Sequence, residues 1–260
     1  MVQVTLALLL TAIPVALLAQ GSPEEIKPSF QARYWLTDAA PEVRNGAGLI
    51  EGGLDFGEDL SRKNRGSREF VFGVPTGDGN RLVFSFFSTS HTGKGDVDRT
   101  FDFFGQTFDI DSALEAKYNI RSFRASWDFL SWPAGATKSD RFRFKTLWEL
   151  QYLRVGGEVS TLDLETPIRS SQSKSLILPT FGVGFDWRPL KKLECNTRLS
   201  GFGLFNGGRV WNGEALCAWH VRGVHAMFGL RQFSANTARE SDQYFNIRMG
   251  GPMFGLERRF

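Results

Sequence analysis

The sequence predicts an all-β fold, a transmembrane antiparallel up-and-down β-barrel of about ten strands with eight or twelve as the neighbouring options. Three observations predict it. Apolar and polar residues alternate along most of the chain, no helical periodicity of any length follows residue 21, and the connectors between alternating segments are short and long in turn. The composition agrees: 24 Phe, 7 Trp and 28 Gly stand beside 23% charged residues, too polar for a bundle of membrane helices. The 31 basic and 28 acidic residues are scattered, for a net charge of +3, so there is no charge block of the kind that binds nucleic acid.

Residues 4–18 form a nearly unbroken apolar run, followed by a polar Gly-Ser-Pro-Glu-Glu over 21–25. The run is shorter than the roughly 20 residues a membrane helix needs. It reads as a secretory signal peptide over residues 1–20, with a small-residue cleavage site near Ala19 or Gln20. Residues 21–260 are then expected to form one barrel domain.

Segment 141–155 is the clearest strand: Phe142, Phe144, Thr146, Trp148, Leu150 and Tyr152 fall on one face, Arg143, Lys145, Glu149 and Gln151 on the other. In the segment before it, Leu114, Ala116, Tyr118 and Ile120 alternate with Glu115, Lys117, Asn119 and Arg121, and then the phase of the apolar residues flips to Phe123, Ala125, Trp127 and Phe129. A one-residue slip of this kind predicts a β-bulge near Arg121-Ser122. Further strands are expected at 29–36, 69–74, 81–90, 175–187, 193–205, 210–221, 224–233 and 245–260.

Connectors 75–80, 131–140, 188–192 and 222–223 are mostly short; 37–68, 92–113 and 156–174 are long and polar, and Asn206-Gly207-Gly208 reads as a tight hairpin on the long-loop side. Membrane barrels have short turns on one side, longer loops on the other and an even strand number, which puts both termini on the short-turn side. A soluble sandwich also alternates, but a closed membrane sheet keeps its charges on the inner wall. The expected lumen network is Glu115, Lys117, Arg121, Arg124, Asp128, Arg143, Lys145, Glu149, Glu194, Arg198, Glu214 and Arg231, mixed in sign. Trp127, Phe129, Phe185, Trp187 and Trp219 lie near expected short turns on the apolar face, as an aromatic girdle requires.

The last strand, Gly250-Gly251-Pro252-Met253-Phe254-Gly255-Leu256-Glu257-Arg258-Arg259-Phe260, resembles the C-terminal signature of Gram-negative outer-membrane barrels. That family ends in Phe with apolar residues at alternate positions before it, matched here by Phe254, Leu256 and Phe260; Arg258 departs from the pattern. The architecture is similar to the small barrels of the OmpA transmembrane, OmpW and PagP kind. The resemblance implies an outer-membrane location, contact with outer-membrane lipid and lipopolysaccharide, and recognition of the last strand by the barrel-assembly machinery.

Some small barrels of this kind modify lipid A with His and Ser on the outer-leaflet side. His91, at the outer end of an expected strand, has no base or orienting carboxylate beside it in sequence and reads as a solvated loop residue; His220 and His225 flank a short turn. The segment 231–236 resembles the His-x-Ser-Asn motif of the deacylase family PagL but lacks its histidine, and a serine without a base is a weak nucleophile. The glycine-rich stretches lack phosphate-loop spacing, and the acid pairs Asp96/Asp98 and Asp109/Asp111 match no calcium-loop pattern.

No catalytic residue, metal or cofactor is therefore expected. Hairpin arithmetic about 206–209 sets Cys195 opposite His220, about 10 Å from Cys217, which predicts two free, lipid-facing thiols. The function expected is non-enzymatic, structural or surface-binding, with a charged lumen largely closed by its own side chains; a narrow channel and a lipid-modifying enzyme are the alternatives. General porin activity is not expected, since open pores need about 16 strands.

Overall fold

The computed structural model describes residues 27–39, 42–45, 54–55, 65–77, 80–96, 100–103, 106–109, 112–131, 142–162, 167–203, 208–237 and 243–260. The proposed signal peptide and much of the first long connector lie outside the described residues. Among the described residues fourteen strands run in order: β1 (Ser29–Ala39), β2 (Glu42–Asn45), β3 (Leu54–Asp55), β4 (Arg65–Gly77), β5 (Asn80–Asp96), β6 (Phe101–Phe103), β7 (Gln106–Phe108), β8 (Ala113–Ser131), β9 (Phe142–Thr161), β10 (Arg169–Leu190), β11 (Leu193–Gly203), β12 (Arg209–Val221), β13 (Val224–Asn236) and β14 (Gln243–Arg259).

Ten of them, β1, β4, β5 and β8 to β14, pair in chain order, and β14 returns to β1 antiparallel, which closes the barrel. All ten expected strands are present. Closure leaves these ten without an edge, each with backbone partners on both sides, the one sheet arrangement that hydrocarbon tolerates. The turn Arg222-Gly223 between β12 and β13 has both residues at positive φ, 47° and 87°. This is the twist that a two-residue hairpin needs, and glycine supplies the second position without strain.

The largest departure from expectation is in β8. Its residues alternate inward and outward without interruption from Ala113 to Leu130, paired residue for residue with β5 up to Asp128 and with β9 from Leu114 on. There is no bulge at Arg121-Ser122. The geometry keeps its phase and the chemistry changes instead: Leu114, Ala116, Tyr118 and Ile120 point inward, and so do Arg124, Ser126 and Asp128.

The same inversion recurs at the same level in the neighbours. In β9, Arg143, Lys145 and Glu149 face the lumen in the lower half, Leu153, Val155 and Val159 in the upper half, while the outer face passes from Trp148 and Leu150 to Arg154 and Glu158. Outside β10 it passes from Phe181 and Ile177 to Ser175, Ser173 and Ser171. Phe123 to Ser131 on β8 is nine residues, within the roughly 9–11 that a tilted strand needs to cross the hydrocarbon. Above that level, Ala113 to Arg121 continues for about 26 Å of strand at about 3.3 Å per residue, roughly 20 Å of height at a barrel tilt of about 40°. The upper half is a water-facing barrel with an apolar core standing on a lipid-facing barrel with a charged core.

This explains why the third long connector was expected to be longer than it is. Residues 156–161 and 169–174 belong to β9 and β10, paired as Gly156↔Ser173 and Glu158↔Ser171. Their outward side chains are polar because they meet water, which in sequence looks like loop. Residues 92–96 likewise extend β5, and the second long connector carries the hairpin β6–β7.

The cysteine expectation is corrected in its main part. The β11–β12 register places Cys195 directly opposite Cys217, three positions from the expected partner, and the two form a disulfide with Cα atoms 4.0 Å apart. The reason is the connector: Gly203 pairs with Arg209, so the turn is wider and centred earlier than a tight hairpin at Asn206-Gly207-Gly208. The bridge lies on the outer face, in the same alternation as Trp219 and Ala215. Thiol titration of the denatured, unreduced protein is expected to find no free thiol and, after reduction, two; finding two before reduction would overturn the register.

Candidate functional site

The interior is built in two layers. The lower layer is a network of ion pairs on inward positions of neighbouring strands. Glu69, fully buried on β4, accepts from Arg33 on β1 at 3.3 Å and from Arg231 on β13 at 2.5 Å. Arg33 also reaches Glu214 at 3.1 Å, and Arg231 donates to Asn212 at 3.2 Å. On the opposite wall Arg198 bridges Asp128 and Glu149, the latter at 3.1 Å; Arg124 lies 3.8 Å from Glu149, and Lys145 stands 2.8 Å from Asp186. At the terminal end Arg259 joins Glu194 at 3.0 Å and Glu257 at 2.9 Å.

A charge removed from water needs such compensation, because an isolated buried ion costs several kcal/mol or more. Each carboxylate here is held by at least one cation on another strand or by a polar neighbour, so the network ties the walls together across the lumen. A polar cavity of about 90 Å³ remains among these residues.

The upper layer is apolar. Trp35, Phe87, Leu114, Ile120, Leu153, Phe233 and Ile247 are buried in one contiguous cluster. Phe87 meets Trp35 and Phe233 edge to face, with centroids 5.9 and 5.6 Å apart. Phe103 and Phe108, one from each strand of the β6–β7 hairpin, are buried in the same cluster, so the second long connector closes the lumen from above. Arg231 sits at the boundary, its guanidinium 4.9 Å from the Trp35 ring and 5.0 Å from the Phe87 ring. There it offers its edge to Glu69 and its face to the aromatics.

Of the residues expected in the lumen, Arg124, Asp128, Lys145, Glu149, Glu194, Arg198, Glu214 and Arg231 take part in the network described, and Arg143 is buried on the same inner wall. Glu115, Lys117 and Arg121 do not belong to it. They point outward above the lipid, as the unbroken alternation of β8 requires, and Glu115 pairs with Lys94 on the outer wall at 3.3 Å. Arg33, Glu69, Arg81, Asp186, Glu257 and Arg259 are network members that sequence reading missed. The signal was there for Arg33, which alternates with Phe30, Tyr34 and Leu36 as cleanly as any residue in β9.

His91 is also corrected. It is not solvated but buried on the inner wall of β5, facing away from any outer-leaflet lipid, with its ring 5.8 Å from that of Tyr118. The girdle residues Trp127, Phe185, Trp187 and Trp219 stand exposed on the outer face, and Phe129 contacts Trp127 there. Phe254, Leu256 and Phe260 are likewise exposed on the outer face of β14, and Arg258 lies over the Phe260 ring at 5.7 Å. Arg258 therefore covers an aromatic face with its charge near the barrel rim, the arrangement by which a long cation is tolerated there.

Among the described residues no group of three or more His, Cys, Asp or Glu is placed to hold a metal ion. No protein-family model and no curated protein match the chain. Solved structures do. The outer membrane protease OmpT of Escherichia coli superposes with a TM-score of 0.60 at 8% identity, over 93% of this chain and 100% of that one. The translocator domain of the autotransporter NalP of Neisseria meningitidis gives 0.49 at 10% identity, over 98% and 94%. The superposition on OmpT at identity this low shows a shared fold alone, and the activity of that protein stays with it.

Proposed function

Taking the chain as an outer-membrane β-barrel protein, we propose that it is a closed, non-conducting and non-enzymatic barrel whose role is structural or surface-binding, exerted through the wall it raises above the lipid. The double closure of the lumen carries this reading. An ion-pair layer and an apolar layer stand in series, and the β6–β7 phenylalanines cover the second. Small barrels of about this strand number are just wide enough for side chains to fill.

His91, the residue on which lipid chemistry would rest, faces Tyr118 inside the barrel and away from any outer-leaflet lipid, which supports a non-enzymatic role. Planar-bilayer recording of the purified protein tests closure. No stepwise current increases are expected on insertion. Regular unit steps of uniform size would sink the reading and favour a narrow channel.

A further inference from the structure

Above the apolar belt, the outer wall formed by β8, β9 and β10 carries a depression that neither layer of the lumen uses. Its floor is Gly156, which points outward and leaves the space of a side chain empty between its register partners Asn119 and Ser173. An added Cβ there would meet atoms no nearer than 3.6 Å. Below it stand Arg121 and Arg154, directly opposite each other on adjacent strands; above it stand Lys117 and Ser171 with Glu158 between them, so the cleft carries three cations and one carboxylate. The cleft encloses about 460 Å³.

Two features point to an anionic occupant. Like charges directly opposite in a sheet destabilise it, and Arg121 and Arg154 are such a pair. Among the described residues no carboxylate lies within ion-pair distance of either; Arg154 donates only to Ser173 Oγ at 3.3 Å. The row continues sideways, with Arg121 opposite Ser88, Ser88 opposite Arg68 and Arg154 opposite Ser175, so three arginines and two hydroxyls share one level.

The height of the row selects the ligand. Directly beneath it on the same outer faces are Phe70, Phe86, Phe123, Tyr152 and Ile177, the upper rim of the apolar belt. An anion at this height that also carries acyl chains is held from both ends: guanidinium forks take the phosphate, hydroxyls and an amide take a sugar, and the belt takes the chains.

We infer that this cleft is a binding site for the phosphorylated saccharide headgroup of an outer-leaflet glycolipid, with Arg121 and Arg154 clamping a phosphate. The inference does not depend on whether the lumen conducts, so it and the closed-barrel reading fail separately.

Native mass spectrometry of the full barrel in detergent, with lipid A in its bisphosphorylated and enzymatically dephosphorylated forms as probes, tests it. The wild type is expected to retain the bisphosphorylated form and to lose about 10-fold or more of that binding when the phosphates are removed. A similar loss is expected for the double variant Arg121→Ala/Arg154→Ala, and also for Gly156→Leu, which fills the cleft with all charges kept. Lys94→Ala, which removes one positive charge from the same wall at its pair with Glu115, is expected to bind as the wild type does. Millimolar inorganic phosphate is expected not to displace the lipid.

Each variant is accepted only if it keeps the heat-modifiable gel mobility of a folded barrel, and either of the two site variants alone suffices. Equal retention of both lipid forms by the wild type, undiminished binding by the folded site variants, or full displacement by inorganic phosphate would overturn the assignment.

Discussion

Glu69→Leu is expected to lower the unfolding free energy of the barrel by about 3–5 kcal/mol, the cost of breaking a buried pair from one side. Glu69 is fully buried and faces two guanidiniums, Arg33 and Arg231. With it gone, Arg33 keeps Glu214 at 3.1 Å, but Arg231 keeps only Asn212 and the Trp35 and Phe87 rings. The penalty is therefore mostly one uncompensated charge.

It follows that adding Arg231→Leu should recover stability, because the double variant leaves no orphan ion where the single variant does. Urea unfolding of barrels folded into vesicles measures both. A loss below about 1 kcal/mol for the single variant, the range of exposed pairs, would show that the lower layer is wet and not a sealed network. Lys94→Ala supplies that exposed reference, since its pair with Glu115 is formed on the outer wall, with side chains 65% and 38% exposed.

Trp35→Ala tests the other layer and is expected to cost about 3–5 kcal/mol, the range for truncating a large buried aromatic. Trp35 is fully buried against Phe87 and beneath the guanidinium of Arg231, at the plane where charged and apolar interiors meet. Its loss leaves a cavity that the β-sheet wall cannot collapse around, because each strand is held by two neighbours. The same substitution at Trp219, exposed on the outer face, removes contacts with lipid only and should cost distinctly less. Equal losses at the two positions would mean that the upper lumen is not packed.

Much of this is legible in the amino-acid sequence. A period of two identifies strands whatever surrounds them, and connector lengths identify the sidedness, so the ten strands, their order and the outward girdle could be read directly. The lower half of the lumen was legible for the same reason: where lipid is outside, the charged face of a strand has only one place to go, and eight of the network residues were found by that rule.

The rule has a hidden premise, which is that the solvent outside does not change along a strand. It fails at Arg121-Ser122. Leu114 to Ile120 were assigned to the outside because they are apolar, and Glu115, Lys117 and Arg121 to the lumen because they are charged; the structure reverses both. Nothing local distinguishes a bulge under lipid from a straight strand leaving it, since both shift the apolar residues by one position.

The sequence by itself determined that the chain is a closed all-β barrel of about ten antiparallel strands, with eight or twelve left open, and with Phe260 on the girdle face; the structure made the number ten. The alternation and the parity are properties of the chain alone. Only the tertiary structure decided the rest: that β8, β9 and β10 rise above the membrane, that Cys195 meets Cys217, that Arg33, Glu69 and Arg259 join the network, and that Arg121 and Arg154 face outward together. Each of these depends on the register between strands. Register is set by the sum of pairings around the whole closed sheet, and a change of three residues in one hairpin is enough to convert two free thiols into a bridge.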